Sequence, residues 1–206
     1  MLSVAQGPDF TLSASTQTKK HMKTSPFYFR ITTLMVMFSL IIISACNTSA
    51  QKKEGAPDVD LHTAILSDNL DAVKQHIAVG SNLNEKDPFG GSSPLITAAL
   101  FDKRDAVKLL LDAGADINFQ NNDGSTALIS AAFFGRPEVV QMLLAKGADK
   151  TIKNKYGTTA LDNVSAPFAE VKEVYDVMGN MLAPMGLKLD YAYLEKVRPE
   201  IAQMLK

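Results

Sequence analysis

Leu110-Leu-Asp-Ala-Gly-Ala-Asp116 returns as Leu143-Leu-Ala-Lys-Gly-Ala-Asp149, 33 residues further on. A second ruler agrees. Gly91-Ser-Ser-Pro-Leu95, Gly124-Ser-Thr-Ala-Leu128 and Gly157-Thr-Thr-Ala-Leu161 place their leucines 33 apart both times. Upstream, Asp60-Leu-His-Thr-Ala64 and Val79-Gly-Ser-Asn82 fit at an offset of 34, the extra residue being one of the pair Gly90-Gly91. A fixed period of this length marks one supersecondary unit repeated along the chain. A single unit cannot bury its apolar face, so about three must stack.

Local chemistry predicts what each unit contains. Ser93, Thr126 and Thr159 are good N-caps, and Pro94 occupies a first helical position, where its missing N–H costs nothing. Short helices follow, with Ala98-Ala99 and Ala131-Ala132 small enough for close packing. Asp102 and Gly135 break them. Second helices begin near Asp105 and at Pro137. Val107, Leu110 and Leu111 fall at i, i+3 and i+4, as do Val140, Leu143 and Leu144, which gives one apolar face. Gly80, Gly114 and Gly147 stop these helices, where a left-handed residue is wanted.

The pattern resembles the ankyrin family, whose signature is Thr-Pro-Leu-His-x-Ala. The matches are Ser93-Pro94-Leu95-Ile96-Thr97-Ala98 and Thr126-Ala127-Leu128-Ile129-Ser130-Ala131, with Leu61-His62 keeping a piece in the first unit. Ile96 and Ile129 replace the signature histidine, which loses an inter-loop hydrogen bond. The resemblance implies an all-α solenoid of helix–turn–helix units joined by β-hairpin loops. The units are read as 58–90, an N-terminal cap, then 91–123, 124–156 and 157–206.

The first segment reads as an address. Ile31 to Ile43 is apolar and uncharged, with Lys23 and Arg30 ahead of it and Ser44 and Ala45 behind. This is the layout of a secretory signal peptide, expected over 22–45. Its 13 apolar positions are short of the ~20 a spanning helix needs. Ile43-Ser44-Ala45-Cys46 resembles a bacterial lipobox, which implies lipidation of Cys46 and cleavage before it. Two or more acyl chains hold a protein stably on a membrane. The alternative is an ordinary signal peptide whose cleavage region contains a cysteine. Asn47 in place of Asp favours the periplasmic face of the outer membrane over the inner one. Residues 1–21 are polar and fit poorly, so a true start at Met22 is expected and the first 21 residues are read as a non-native extension. Residues 46–57, rich in small and polar types, read as a flexible tether.

At the other end, Arg198-Pro-Glu-Ile-Ala-Gln-Met-Leu205 echoes Arg136-Pro-Glu-Val-Val-Gln-Met-Leu143 at an offset of 62. The fourth unit is therefore expected to end in a helix over Arg198–Lys206. An insertion at about 164–194 should hold a helix over Phe168–Leu182, turn at Pro184-Met185-Gly186 and continue from Asp190. Chance similarity between short amphipathic helices is the alternative. Met178, Met181, Met185, Tyr191 and Tyr193 would cover the last apolar face, or else form a binding knob.

Reaction chemistry is sparse. The 21 Lys+Arg are balanced by 22 Asp+Glu, which argues against nucleic acid as a partner, since binding it needs a basic face. Of the histidines, His62 fills the signature turn position and His76 is expected half-exposed in a second helix. Neither has a Cys or His at metal-ligand spacing. Gly90-Gly91 is a turn pair and makes no phosphate loop. No catalytic residue, metal or cofactor is expected.

A protein partner is. Ankyrin-type stacks bind through loop tips and the inner, first-helix face. Carried over by position, the tips offer Phe89, Asn122, Asp123, Lys155 and Tyr156, and the inner face offers Leu100, Phe101, Phe133 and Phe134. Exposed apolar patches tend to mark interaction sites; the rival reading folds these phenylalanines into the core. The function expected is a monomeric, lipid-anchored interaction protein of the bacterial envelope. A passive envelope component and an enzyme with a site in the insertion are the alternatives.

Overall fold

The computed structural model describes residues 55–206; the expected signal segment, Cys46 and most of the tether lie outside it. The described residues form helical pairs in chain order. They are α1 (Leu61–Leu66) with α2 (Leu70–Ala78), α3 (Pro94–Leu100) with α4 (Arg104–Asp112), and α5 (Ala127–Phe133) with α6 (Pro137–Ala145). Then come α7 (Ala160–Ser165), α8 (Phe168–Leu182), a 3₁₀ turn at Ala183–Met185, and α9 (Tyr191–Leu205).

The starts are set by capping. Asp60, Ser93, Thr126 and Thr159 each accept a hydrogen bond from the backbone N–H three residues on, and Thr159 with Asp162 completes a reciprocal capping box. The second helices stop where a left-handed residue lets the chain fold back on the last turn. At Gly114 (φ 83°) its N–H reaches the Leu111 carbonyl and the Ala115 N–H reaches that of Leu110. Between the helices of a pair the left-handed position is Asp68, Asp102 or Gly135.

First helices pack on first helices and second on second, and each pair also packs on itself. This buries one continuous interior that includes Ile65, Leu95, Leu110, Leu128 and Leu143. Ala98, Ala99, Ala131 and Ala132 are fully buried at the first-helix contacts. A bulkier residue there would drive the helices apart.

Two details differ from the sequence reading. The loops between units form no strand among the described residues. Each closes on a tight turn, with backbone bonds Asp87 N–H to Ser92 O, Asn121 N–H to Ser125 O and Asn154 N–H to Thr158 O. The Asp87, Asn121 and Asn154 side chains take further N–H groups of their own turns, and neighbouring loops share single backbone bonds where a ladder was expected. Second, the last helix starts at Tyr191, capped by Asp190, and carries Pro199 inside it. The echo of Arg136–Leu143, a helix that does start at its proline, is why the sequence pointed to Arg198. Leu194 and Val197, both buried, continue the helix upstream. A Cβ on Gly135 would stand 2.7 Å from Cδ2 of Leu194 and 3.1 Å from Cγ2 of Val197, so glycine is what admits α9 here.

Candidate protein-binding surface

The loop tips are built by one side chain per loop. The Asp87 carboxylate accepts from the N–H groups of Phe89 (2.7 Å), Gly90 (2.8 Å) and Ser92 (2.6 Å). Asn121 Oδ1 accepts from Asp123 (3.0 Å) and Ser125 (2.8 Å). Asn154 Oδ1 accepts from Tyr156 (3.0 Å) and Thr158 (3.1 Å). Such Asx turns lock a loop from inside. Partial burial raises the Asp87 pKa, but the N–H donors of Gly90, Phe89 and Ser92 outweigh it and hold the group below its usual value.

These tips are also tied to one another. Asn122 N–H donates to Gly90 O at 3.0 Å and Lys155 N–H to Asp123 O at 2.8 Å. The approach is close enough that a Cβ on Gly91 (φ 66°) would collide with the Asn122 side chain. Beneath them runs a second chain of contacts. Asn84 Oδ1 accepts from Asp116 N–H (2.9 Å) and Asn118 Oδ1 from Asp149 N–H (3.0 Å). His62 supplies the bond its isoleucine counterparts lack: Nε2 donates to Glu85 O at 3.1 Å, and Nδ1 lies 3.0 Å from the Thr97 hydroxyl.

Because Asp87, Asn121 and Asn154 are spaced by the repeat, the residue two further on is equivalent in each loop. Those residues are Phe89, Asp123 and Tyr156. All three are exposed, and the rings of Phe89 and Tyr156 are 85 % and 77 % accessible. The tips thus carry an aromatic–carboxylate–aromatic row on a buttressed backbone, with Asn122 and Lys155 exposed beside it. The scaffold residues Asp87, Asn121 and Asn154 were not singled out from the sequence, although their spacing of 34 and 33 was there to be read.

On the inner face the outcome is mixed. Leu100 and Phe101 are half-buried. Phe134 is 3 % exposed and offers no ring to a partner. It meets Phe133 edge-on, with centroids 4.9 Å apart. Phe133 is itself half-buried beneath Tyr175 of α8, the rings stacked at 4.5 Å. Helix α8 therefore closes this part of the face. Of the residues expected to cover the last repeat, Met181, Met185 and Tyr193 stay exposed; Tyr175, Leu187, Leu194 and Val197 are buried instead.

A polar hub holds the cover. Tyr175 Oη donates to Phe133 O at 2.6 Å. Arg198, 2 % exposed, donates to Tyr175 Oη (2.8 Å), Asn163 O (3.0 Å) and Ala166 O (2.7 Å). Burial pushes the Tyr175 pKa up, against the pull of the guanidinium. His76 is buried, contrary to the half-exposure expected. Its Nε2 donates to Val59 O at 2.8 Å and its Nδ1 lies 3.0 Å from the Ser81 hydroxyl, so it pins the segment that leads into α1. Among the described residues no group of three or more His, Cys, Asp or Glu is placed to hold a metal ion.

Residues 61–154 match the family of ankyrin repeats in three copies. Among solved structures, the ankyrin repeat domain of Bcl-3, described as a unique member of the IkappaB protein family, is similar at 28 % identity with a TM-score of 0.51. The match covers 66 % of this chain and 59 % of that one, less than two thirds of the relative's length. No curated protein matches.

Proposed function

Since residues 61–154 are ankyrin repeats, a fold that typically binds proteins and catalyses nothing, we propose that this chain holds a protein partner on its row of loop tips at a bacterial cell envelope. The observation that supports this most is the row Phe89–Asp123–Tyr156 on tied-down turns. Exposed aromatics on rigid backbone contribute contact area at little entropy cost, and such residues are enriched in binding hot spots. Leu100 and Phe101 extend the surface onto the inner face. The lipobox-like run ending at Cys46 supports anchoring on the periplasmic side of the outer membrane. Residues 157–206 are a fourth unit, and α7 and the later part of α9 are its two helices. Packing of α9 on α7 and α6 supports that reading.

A crosslinking pull-down from native membranes tests the surface. Phe89→Ser with Tyr156→Ser should lose the captured partner and leave the thermal melt unchanged. Capture of the same partner in the same yield would remove the tips from the interface. Cys46→Ala should move the protein from the membrane fraction to the soluble one; a chain that stays with the membrane refutes the anchor.

A further inference from the structure

The row of tips has a direction, and its two ends differ. Within the row each tip holds its neighbours in two ways. Backward, the residue after each Asx side chain gives its N–H to the preceding tip: Asn122 to Gly90 O at 3.0 Å and Lys155 to Asp123 O at 2.8 Å. Forward, the residue before the Asx side chain reaches into the next loop. The Lys86 ammonium lies 5.7 Å from the centre of the Phe119 ring, and Gln120 Nε2 donates to Lys153 O at 3.3 Å.

The first end is closed. The residue after Asp87 is Pro88, which has no N–H to give, and the Phe89 N–H is already held by the Asp87 carboxylate. The third end is open. Tyr156 O, 33 residues on from Asp123 O, takes no N–H among the described residues. Lys153 stands where Lys86 and Gln120 stand in the earlier loops, and Lys150 and Lys155 are exposed beside it. None of these three lysines closes an ion pair among the described residues. The carboxylates around them are engaged elsewhere. Asp149 accepts from the N–H and hydroxyl of Thr151, and Asp162 from those of Thr159. The Thr159 bonds hold the Asp162 pKa below its usual value, with Lys153 a lesser contributor.

This end selects its occupant. Continuing the row takes a backbone N–H for Tyr156 O and carboxylates for the lysines. An extended acidic segment of a protein brings both; such segments draw affinity from main-chain bonds and specificity from alternate side chains. A second copy of this chain fits badly, because the end it would offer carries Pro88 in place of a donor. A nucleic acid or a lipid headgroup brings phosphates for the lysines. Asp123 and Asp149 stand among those lysines, however, and no peptide N–H is then offered to Tyr156 O.

We propose that the partner lays an extended acidic segment against the third tip, in the place of a further tip, with an N–H on Tyr156 O and carboxylates on Lys153 and Lys155. This rests on the reading of the tips as the binding surface and names the chemistry of what they bind.

The test selects short random peptides displayed on phage against the full chain held in detergent, then titrates the enriched peptides by fluorescence anisotropy. They should carry Asp or Glu at alternate positions. Lys153→Glu with Lys155→Glu should weaken them about tenfold at an unchanged thermal melt, and changing the peptide's acids to Lys should restore binding to that variant. Methylating one backbone nitrogen of the peptide should weaken it by a similar factor, and methylating the next should not. Peptides that are lost with Phe89→Ser and Tyr156→Ser yet ignore the lysine substitutions overturn the acidic segment and keep the tips. Peptides that ignore both pairs of substitutions overturn both. Indifference to methylation at every position overturns the bond to Tyr156 O. A selection that enriches nothing overturns the segment and leaves the tips to the pull-down. So does binding of oligothymidylate or phosphatidylglycerol vesicles that the lysine substitutions abolish, with no acidic peptide bound, since the ligand is then a phosphate.

Discussion

The middle of the stack and its C-terminal end solve the same packing problem in opposite ways. From Ser93 to Tyr156 the units are joined by many small, repeated links: the Asn84 and Asn118 bonds, the tied tips, and exposed ion pairs such as Arg104–Glu138 (3.1 Å) and Asp112–Lys146 (2.8 Å). Each link is modest, and the next unit supplies another. Beyond Gly157 the repetition stops. There a single buried guanidinium and a single tyrosine bind three segments of chain together. A repeated interface tolerates the loss of one polar link, whereas a hub does not.

Substitutions sharpen this contrast, and the largest effect belongs to the interior both regions share. Leu110→Ala removes a fully buried side chain and should cost about 4 kcal/mol in urea unfolding. One transition for the whole stack is expected; separate transitions for the two regions would break the idea of a continuous interior. Next is Arg198→Ala. It leaves the carbonyls of the half-buried Asn163 and Ala166 and the buried Tyr175 hydroxyl without their donor, at about 2–3 kcal/mol. Hydrogen exchange should show α8 and α9 opening ahead of α3 to α6; uniform exchange would say that the end is held by packing alone.

Tyr175→Phe is a finer cut. It keeps the stack on Phe133 and Phe168 (5.6 Å between centroids for the latter) and removes only the hydroxyl. Leaving Phe133 O unpaired should cost about 1–2 kcal/mol, and a melt equal to the parent's would mean the rings do the holding. The smallest effect is in the middle. Hydrogen bonds from Lys108 and Lys146 hold the exposed Asp112 carboxyl down to about 2. A depressed carboxyl stabilises fully above its ordinary value of 3.8 and loses that contribution as pH falls toward 2. The parent should therefore exceed Asp112→Asn slightly at neutral pH, and the gap should close through that window. It should also shrink in 1 M salt, where exposed pairs are screened; a gap indifferent to both pH and salt would exclude the ion pairs as its source.

The regular part was legible because its rules are local. The caps at Ser93 and Thr126, the stop at Gly114 and the i, i+3, i+4 faces each depend on residues within about one turn. The candidate surface was legible in part. Phe89 and Tyr156 stand at the tips because the repeat places them there. Phe134 looked equally available and is buried, edge-on to Phe133, which Tyr175 of a later segment covers in turn. His76 misled for the same reason: its partner Val59 precedes the first helix and carries no pattern. The start of α9 was misplaced because the echo of Arg136–Leu143 covers only the later part of the helix, while Leu194 and Val197, which pack against Gly135, extend it upstream without any counterpart in the repeat.

By itself, then, the chain's order of residues determined the period, the helix ends, the apolar faces and the positions of the tips, all of which follow from hydrogen bonding and side-chain direction over a few residues. Only the tertiary structure decided which of those faces stay open. Tyr175 reaches Phe133 across 42 residues and Arg198 reaches Tyr175 across 23. Such contacts form when a folded surface of the right shape already exists to receive them, so no spacing in the sequence announces them.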